Sequence, residues 1–507
     1  MSIVLVVLLA GCAALPALDG RPASKAFTNT ASTRLARGTA SDVAAHPGKS
    51  GIHPLVTPED AFAARVLLAA TAERSLDIQY YIWNGDTTGY LLYEAAWRAA
   101  QRGVRVRILL DDANTSGLDE VIAALDAHPG IEVRLYNPMM LRSSRIMNFV
   151  TDFERVNRRM HNKSFTADNQ AAIVGGRNVG NEYFAAGTGV AFADLDVLAV
   201  GPVVQEVSSA FDLYWNSPSA YPASRIVGAA PPGAAEALEK TFAERRADAA
   251  SVTYIDAVRK TQLVQSLLQG RLQFEWATAH VVRDDPDKTL DTTGRTDVLL
   301  LSTLLPAIGT PSASFDLVSP YFVPGAAGTE ALVDLATHGV RVRVLTNALA
   351  ATDVPAVHAG YAKRRCTLLR AGVRLFELKP SASLEDVKHK SRFGSSASTQ
   401  LHAKTFAIDG ARIFVGSFNF DQRSAHLNTE LGIVIDSPVL AQRLANALDR
   451  DFPDTAYEPR VASDGRCPIW IERTPAGEIV HDVEPETSAG QRAWIETLEA
   501  LPIEWLL

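Results

Sequence analysis

Apolar and polar positions fall into two matching series along this chain. In the first half, SLDIQYYIW (75–83) is a largely apolar run, YLLYEAAWRAAQRG (90–103) repeats its apolar residues every three or four positions up to a glycine, and VRVRILLDD (104–112) alternates before turning apolar. The patterns predict a buried strand, an amphipathic helix with a glycine stop, and a second strand. In the second half, SFDLVSPYF (314–322), TEALVDLATHG (329–339) and VRVRVLTNA (340–348) repeat that order, and Gly-Val-Arg-Val-Arg begins at both Gly103 and Gly339. Strand, helix, strand is a βαβ unit. Each half therefore predicts a mostly parallel mixed β-sheet flanked by helices, and the chain an α/β protein of two pseudo-symmetric lobes. At 507 residues it is too long for one ordinary core.

The remaining segments sort around the repeat. The first lobe is placed at 56–227, an inter-lobe connection opening on AAPPGAA at 228–295, the second lobe at 296–455 and a C-terminal cap at 456–507. Residues 12–55 read as a tether because 23–54 are rich in Ala, Ser, Thr, Gly and Pro. Before it, a short apolar run closes on Leu9-Ala10-Gly11-Cys12, although no basic residue precedes Ile3. This reads as a lipoprotein signal peptide (1–11) with Cys12 lipidated, so the chain is expected in a bacterial cell envelope, anchored to the inner or outer membrane and facing the periplasm. Cys366 and Cys467 are then free to pair, but two buried thiols are expected.

The chemistry lies in a second repeat. HNKSFTADNQAAIVGGRN carries His161, Lys163, Asp168, Gly175, Gly176 and Asn178; HAKTFAIDGARIFVGSFN carries His402, Lys404, Asp409, Gly416, Ser417 and Asn419 at the same spacing. Strand alternation puts each histidine and lysine on one face. The aspartate, seven after the histidine, falls on the other face, which favours a structural or bridging role. An imidazole, a cation and an amide make half of a site for a tetrahedral oxyanion. Two such halves face to face oppose two imidazoles across one phosphate, one to attack and one to protonate the leaving oxygen. No P-loop or metal cluster is legible and no metal or cofactor is expected, the lysines and amides carrying the charge.

A net charge of -8 argues against a nucleic-acid partner. The basic run 155–159 reads either as a headgroup contact or as a solvated face. Tyr80, Tyr81 and Trp83 read as core or as a lipid entrance, and Asp111-Asp112 has no assigned role.

The paired motifs resemble the two signatures of the phospholipase D superfamily, over residue 56 to the end. NRRMHNKSF, DLDVLAVGPVV and GSFNFDQRSAHLNTE are most similar to the bacterial cardiolipin synthase C type. The resemblance implies phospholipase D-like lobes with the active site at their interface. The implied catalytic set is His161, Lys163, Asp168, His402, Lys404 and Asp409. His161 would attack phosphorus to give a phosphohistidine and His402 would act as general acid and base, the reverse remaining open. Asn178, Asn419, Ser417 and Gly176 are implied to bind phosphate, and an acid after each motif to orient a histidine: Glu430, and Asp194 with Asp196 as rival. The implied activity joins phosphatidylglycerol to a second phospholipid, phosphatidylglycerol or phosphatidylethanolamine, at a membrane surface to form cardiolipin. A phosphodiesterase or nuclease, and a non-catalytic lipid-binding lipoprotein, are the alternatives. An accessory protein would leave no mark in the sequence.

Overall fold

Both predicted βαβ units form. In the computed structural model, which describes residues 15–187, 190–380 and 399–507, Ser75–Tyr80, Arg105–Asp111 and Ile131–Tyr136 lie parallel in the first lobe, as do Ser314–Val318, Arg341–Asn347 and Arg374–Leu378 in the second. The leader and Cys12 lie outside the described residues. Beyond the βαβ strands each sheet continues antiparallel: Ser164–Ala167, Ala171–Gly175 and Asp196–Val200 in one, Thr405–Ile408, Arg412–Gly416 and Leu431–Ile435 in the other. The sheets, of nine and ten strands, are mixed with antiparallel pairing predominant, which corrects the expectation of a mostly parallel arrangement. The reason is local. Each motif folds as a hairpin, and a tight hairpin joins antiparallel neighbours without the helix that a parallel crossover requires.

Those hairpins turn on Asp168 and Asp409, both at φ 54°. Aspartate and asparagine tolerate this left-handed backbone better than most residues. The Asp168 carboxylate accepts the backbone N–H groups of Glu73, Arg74 and Ser75, which lead into the first strand of the sheet. Asp409 does the same for Ser312, Ala313 and Ser314. Their grouping with the catalytic residues is therefore corrected: both carboxylates are committed to backbone donors at the strand ends.

The sheets meet face to face. Ile52, Ala172, Val174 and Val197 of the first lobe and Ala407, Ile413, Val415 and Ile433 of the second belong to one buried cluster, together with Val203 and Leu440 of the helices Val203–Asn216 and Pro438–Arg450. Short and β-branched side chains at this seam allow close sheet packing. The connection stitches the sheets edgewise, since Glu275–Ala277 pairs in the first and Ala279–Arg283 in the second.

Two peripheral segments differ from expectation. Residues 15–55 are not a free tether. Arg21 donates to the carbonyls of Asn216, Ser217 and Ala220, Arg34–Ala45 is a helix, and Ser50–Leu55 is a strand between Asp196–Val200 and Glu275–Ala277. Composition missed this because the hold comes from distant backbone carbonyls, not from local periodicity. The cap is likewise integral: Ala456–Arg460, Ile469–Thr474 and Gly477–His481 extend the second sheet. Cys366, on the helix Pro355–Arg370, forms a disulfide with Cys467, replacing the two thiols expected. His358 on the same helix meets Glu484 at 2.7 Å, and Arg365 bridges Glu377 and Glu484.

Two outcomes are expected. Asp168→Ala strands three backbone donors and lowers the unfolding free energy by about 2–4 kcal/mol, since hydrogen bonds to a charged group are each worth about 1.5–3 kcal/mol; a urea midpoint equal to wild type refutes the staple. The disulfide closes a loop spanning 101 residues. Cys467→Ala should therefore cost about 2–4 kcal/mol under oxidising conditions and nothing when both proteins are reduced.

Candidate active site

His161 and Lys163 enter the hairpin strand Ser164–Ala167, and His402 and Lys404 enter Thr405–Ile408. The approach to each histidine is fixed by the opposite lobe. Met160 forms a parallel bridge with Thr429: His161 N–H donates to Thr429 O at 2.9 Å and Thr429 N–H to Arg159 O at 2.9 Å. Thr399–Leu401 pairs in parallel with Ala191–Ala193, and His402 N–H donates to Ala193 O at 2.8 Å. In both cases the residue before a histidine pairs with the residue before an acid.

That register delivers the acids. His161 Nδ1 lies 2.9 Å from Glu430 of the second lobe, and His402 Nδ1 lies 2.5 Å from Asp194 of the first. Asp196, the rival, is occupied elsewhere in a buried ion pair with Arg65. A carboxylate at Nδ1 fixes the N–H there and leaves Nε2 with its lone pair. Burial comes first among the causes that hold both imidazoles well below their usual pKa, followed by the ammonium groups of Lys163 and Lys404, each of which acts on both histidines. The four side chains thus share one electrostatic neighbourhood. Lys404 Nζ lies 2.8 Å from His402 Nδ1; with Nδ1–H directed at Asp194, this is a charge contact that further disfavours a second proton. Burial also lowers both lysines, Lys163 strongly and Lys404 to about 8.

The acids are held differently. Glu430 accepts from Ser417 Oγ, its backbone N–H donates to Asp284 at 2.7 Å, and burial raises it to about 7. Asp284 is itself paired with Lys288 at 2.9 Å. At Asp194 no hydroxyl intervenes among the described residues. A Cβ on Gly176 would stand 2.2 Å from Asp194 Oδ1, so glycine is required for the carboxylate to fit, and Leu195 N–H donates to it instead. Ser417 and Gly176, expected at the phosphate, therefore serve the acids that orient the histidines. Asn178 is also engaged, accepting from Ile82 N–H and donating to the Tyr183 hydroxyl at 3.0 Å. Asn419 keeps a buried amide oxygen with no partner among the described residues.

Several residues near the site had no assignment. Asp111 pairs with Arg159 at 2.7 Å and accepts the Met160 N–H, fixing the chain just before His161. Asp284 lies in the inter-lobe connection, which was given no part in the site. Tyr81 stands edge-on to His161 at 4.9 Å, whereas Tyr80 and Trp83 are core residues. Tyr183 and Phe192 flank His402. The basic run is not a free patch: Arg155 binds Asp152, Arg158 binds the carbonyls of Lys288 and Asp291, and Arg159 is buried on Asp111.

Known proteins show the same arrangement of the chain. A family model described as "Cardiolipin synthase, PLD-like domain" matches twice, over 67–215 and 304–452. Cardiolipin synthase C of Escherichia coli is 45% identical over 91% of this chain and 97% of its own length. A cardiolipin synthase of Oceanobacillus iheyensis is 24% identical over 84% of this chain and 73% of its own. In fold, the chain resembles the crystal structure of a phosphatidylserine synthase from Haemophilus influenzae, with a TM-score of 0.56 and 12% identity, covering 93% of this chain and all of that one. With each match containing one of the two histidine motifs, the chain belongs to the cardiolipin synthase family of phospholipase D-like proteins.

Proposed function

We propose that this protein is a membrane-associated phosphatidyltransferase that makes cardiolipin from phosphatidylglycerol and a second phospholipid, phosphatidylglycerol or phosphatidylethanolamine. The observation that carries the reading is the pair of buried imidazoles, each with a carboxylate on Nδ1 donated by the other lobe. His161 Nε2 attacks the donor phosphorus. The P–O bond to the leaving alcohol breaks as His402 protonates that oxygen, leaving a phosphatidyl group on His161. The hydroxyl of phosphatidylglycerol then attacks, His402 takes its proton, and the P–N bond breaks. Lys163 and Lys404 neutralise the phosphate oxygens, and the side-chain NH2 of Asn419 is the further donor to them in this reading.

The low basicity of both histidines suits this cycle. The attacking imidazole is neutral without a base to deprotonate it. The anionic phosphate offsets the two ammonium charges and so restores basicity to the proton-transferring imidazole once substrate is bound. The Cys12 lipobox and the Cys366–Cys467 disulfide support an envelope lipoprotein exposed to an oxidising compartment. No helix among the described residues is long and apolar enough to cross a membrane; the attachment proposed is the lipid on Cys12.

Expression in a bacterium stripped of its cardiolipin synthases tests the reading. Wild type should restore cardiolipin, and His161→Ala and His402→Ala should each cut the rate by about 10²–10⁴ or more. Release of phosphatidic acid without cardiolipin indicates water as acceptor, and cleavage of single-stranded DNA a nuclease. Label trapped by a denaturing quench at alkaline pH, which spares the acid-labile P–N bond, should map to His161; label on His402 reverses the two roles. Protonated Lys404 is needed at the phosphate and titrates at about 8, so kcat/KM should fall as pH rises through that value. Lys404→Arg should move that limb upward, and an unmoved limb removes Lys404 as its source.

A further inference from the structure

The segment 145–153, just ahead of the first histidine motif, exposes apolar side chains to water. It is a chain of short helical turns, Arg145–Met147, Asn148–Thr151 and Phe153–Val156. Ile146 and Val150, four residues apart and so on one side, are each 73% exposed, and Phe149 and Phe153 repeat the spacing. Nothing in the packed core accounts for them. Behind this surface, Arg142 is held by Asp112 and Asp119, and Arg145 donates to Thr115, so the charged groups face inward and the apolar ones stand out.

A second apolar element is tied beside it. The Arg423 guanidinium donates to the side chain and carbonyl of Asn157, which ends the first segment, and to the carbonyl of Leu506; Arg423 N–H donates to Leu507 O. This single arginine fastens residues 504–507 of the cap to the segment that leads into His161. Trp505 there is 57% exposed. The two elements are far apart along the chain and are tied together just before Arg159 and Met160 turn inward to the nucleophile.

We propose that this composite face, Ile146, Phe149, Val150, Phe153 and Trp505, seats the active-site mouth on the lipid bilayer. The inference rests on the phosphatidyl-transfer reading for its choice of partner. The reacting phosphate must reach His161, which is 7% exposed, while its acyl chains remain in the membrane. That requires the cleft to open against the bilayer, and this apolar face lies on the segment leading to it. Aliphatic side chains enter the acyl boundary and an indole settles at the headgroup level. The local charge is balanced: the five arginines of 141–160 face Asp111, Asp112, Asp119, Asp152 and Glu154, so the contact is carried by the apolar side chains and no net negative charge at this face repels an anionic surface.

The test uses the full chain and vesicles of phosphatidylglycerol and phosphatidylethanolamine. Ile146→Ser with Val150→Ser changes side chains already in water, so folding is preserved. Turnover on vesicles should fall roughly tenfold, which needs only about 1.4 kcal/mol of lost apolar burial, while turnover on a monomeric short-chain phosphatidylglycerol stays unchanged. In a second arm, brominated acyl chains should quench wild-type fluorescence more than that of Trp505→Phe. Residues 1–82 contain no tryptophan, so anchoring by the leader does not produce that difference. Unchanged vesicle turnover, or no quenching assignable to Trp505, overturns the proposal. Concentration-dependent dimers abolished by the same serine substitutions would also overturn it, assigning the face to a second copy. If wild type is inactive on both lipids, the phosphatidyl-transfer reading fails, and the quenching arm alone decides the docking face.

Discussion

Everything at the active site depends on two short backbone ladders that cross between the lobes. Met160 against Thr429, and Leu401 against Ala193, hold each histidine in register with a carboxylate that its own lobe does not supply. Backbone pairing is well suited to this task because it fixes distance and direction together, with little side-chain freedom left to lose. Neither lobe alone holds its own imidazole in a defined tautomer. The seam of short apolar side chains between the sheets is therefore part of the catalytic apparatus, since it keeps the ladders in register.

The same arrangement sets the charge balance. Two lysines, two imidazoles and two acids share a dry cleft, and desolvation comes first among the causes of each pKa shift there. A buried cluster of this kind is costly unless each charge has a partner. Glu430 is propped by Ser417 and, behind it, by the Asp284–Lys288 pair, whereas Asp194 leans on a backbone amide above a glycine. A duplicated framework thus carries two unequal halves. That inequality is a physical basis for assigning different work to the two histidines.

How much of this was legible in the sequence follows from what is local and what is not. Strand alternation put each histidine beside its lysine, and the count of seven put each aspartate on the other face, where it caps a neighbouring strand. Both acids that orient the histidines stood out, but which histidine each would reach did not, because the exchange between lobes has no sequence spacing. The contacts of Ser417 and Gly176 with the acids were missed for a related reason: a hydroxyl or a missing Cβ near a phosphate motif reads as a phosphate contact, and the carboxylate behind it is seen only in the fold. The segment 15–55 and the disulfide were missed because distant groups hold them, Arg21 on the end of a helix and Cys467 on a helix far upstream.

The sequence alone determined the duplication, the residue types of the site, the βαβ half of each sheet and the chemistry they imply. These are fixed by periodicities of a few residues and by an order that occurs twice, and no fold is needed to count either. Tertiary structure decided that the sheets are mainly antiparallel, that Asp168 and Asp409 staple backbone, and that Glu430 serves His161 while Asp194 serves His402. It also tied residues 504–507 to Asn157 through Arg423. Each of these is a contact between groups far apart along the chain, and such contacts are selected by packing and burial, which no local pattern encodes.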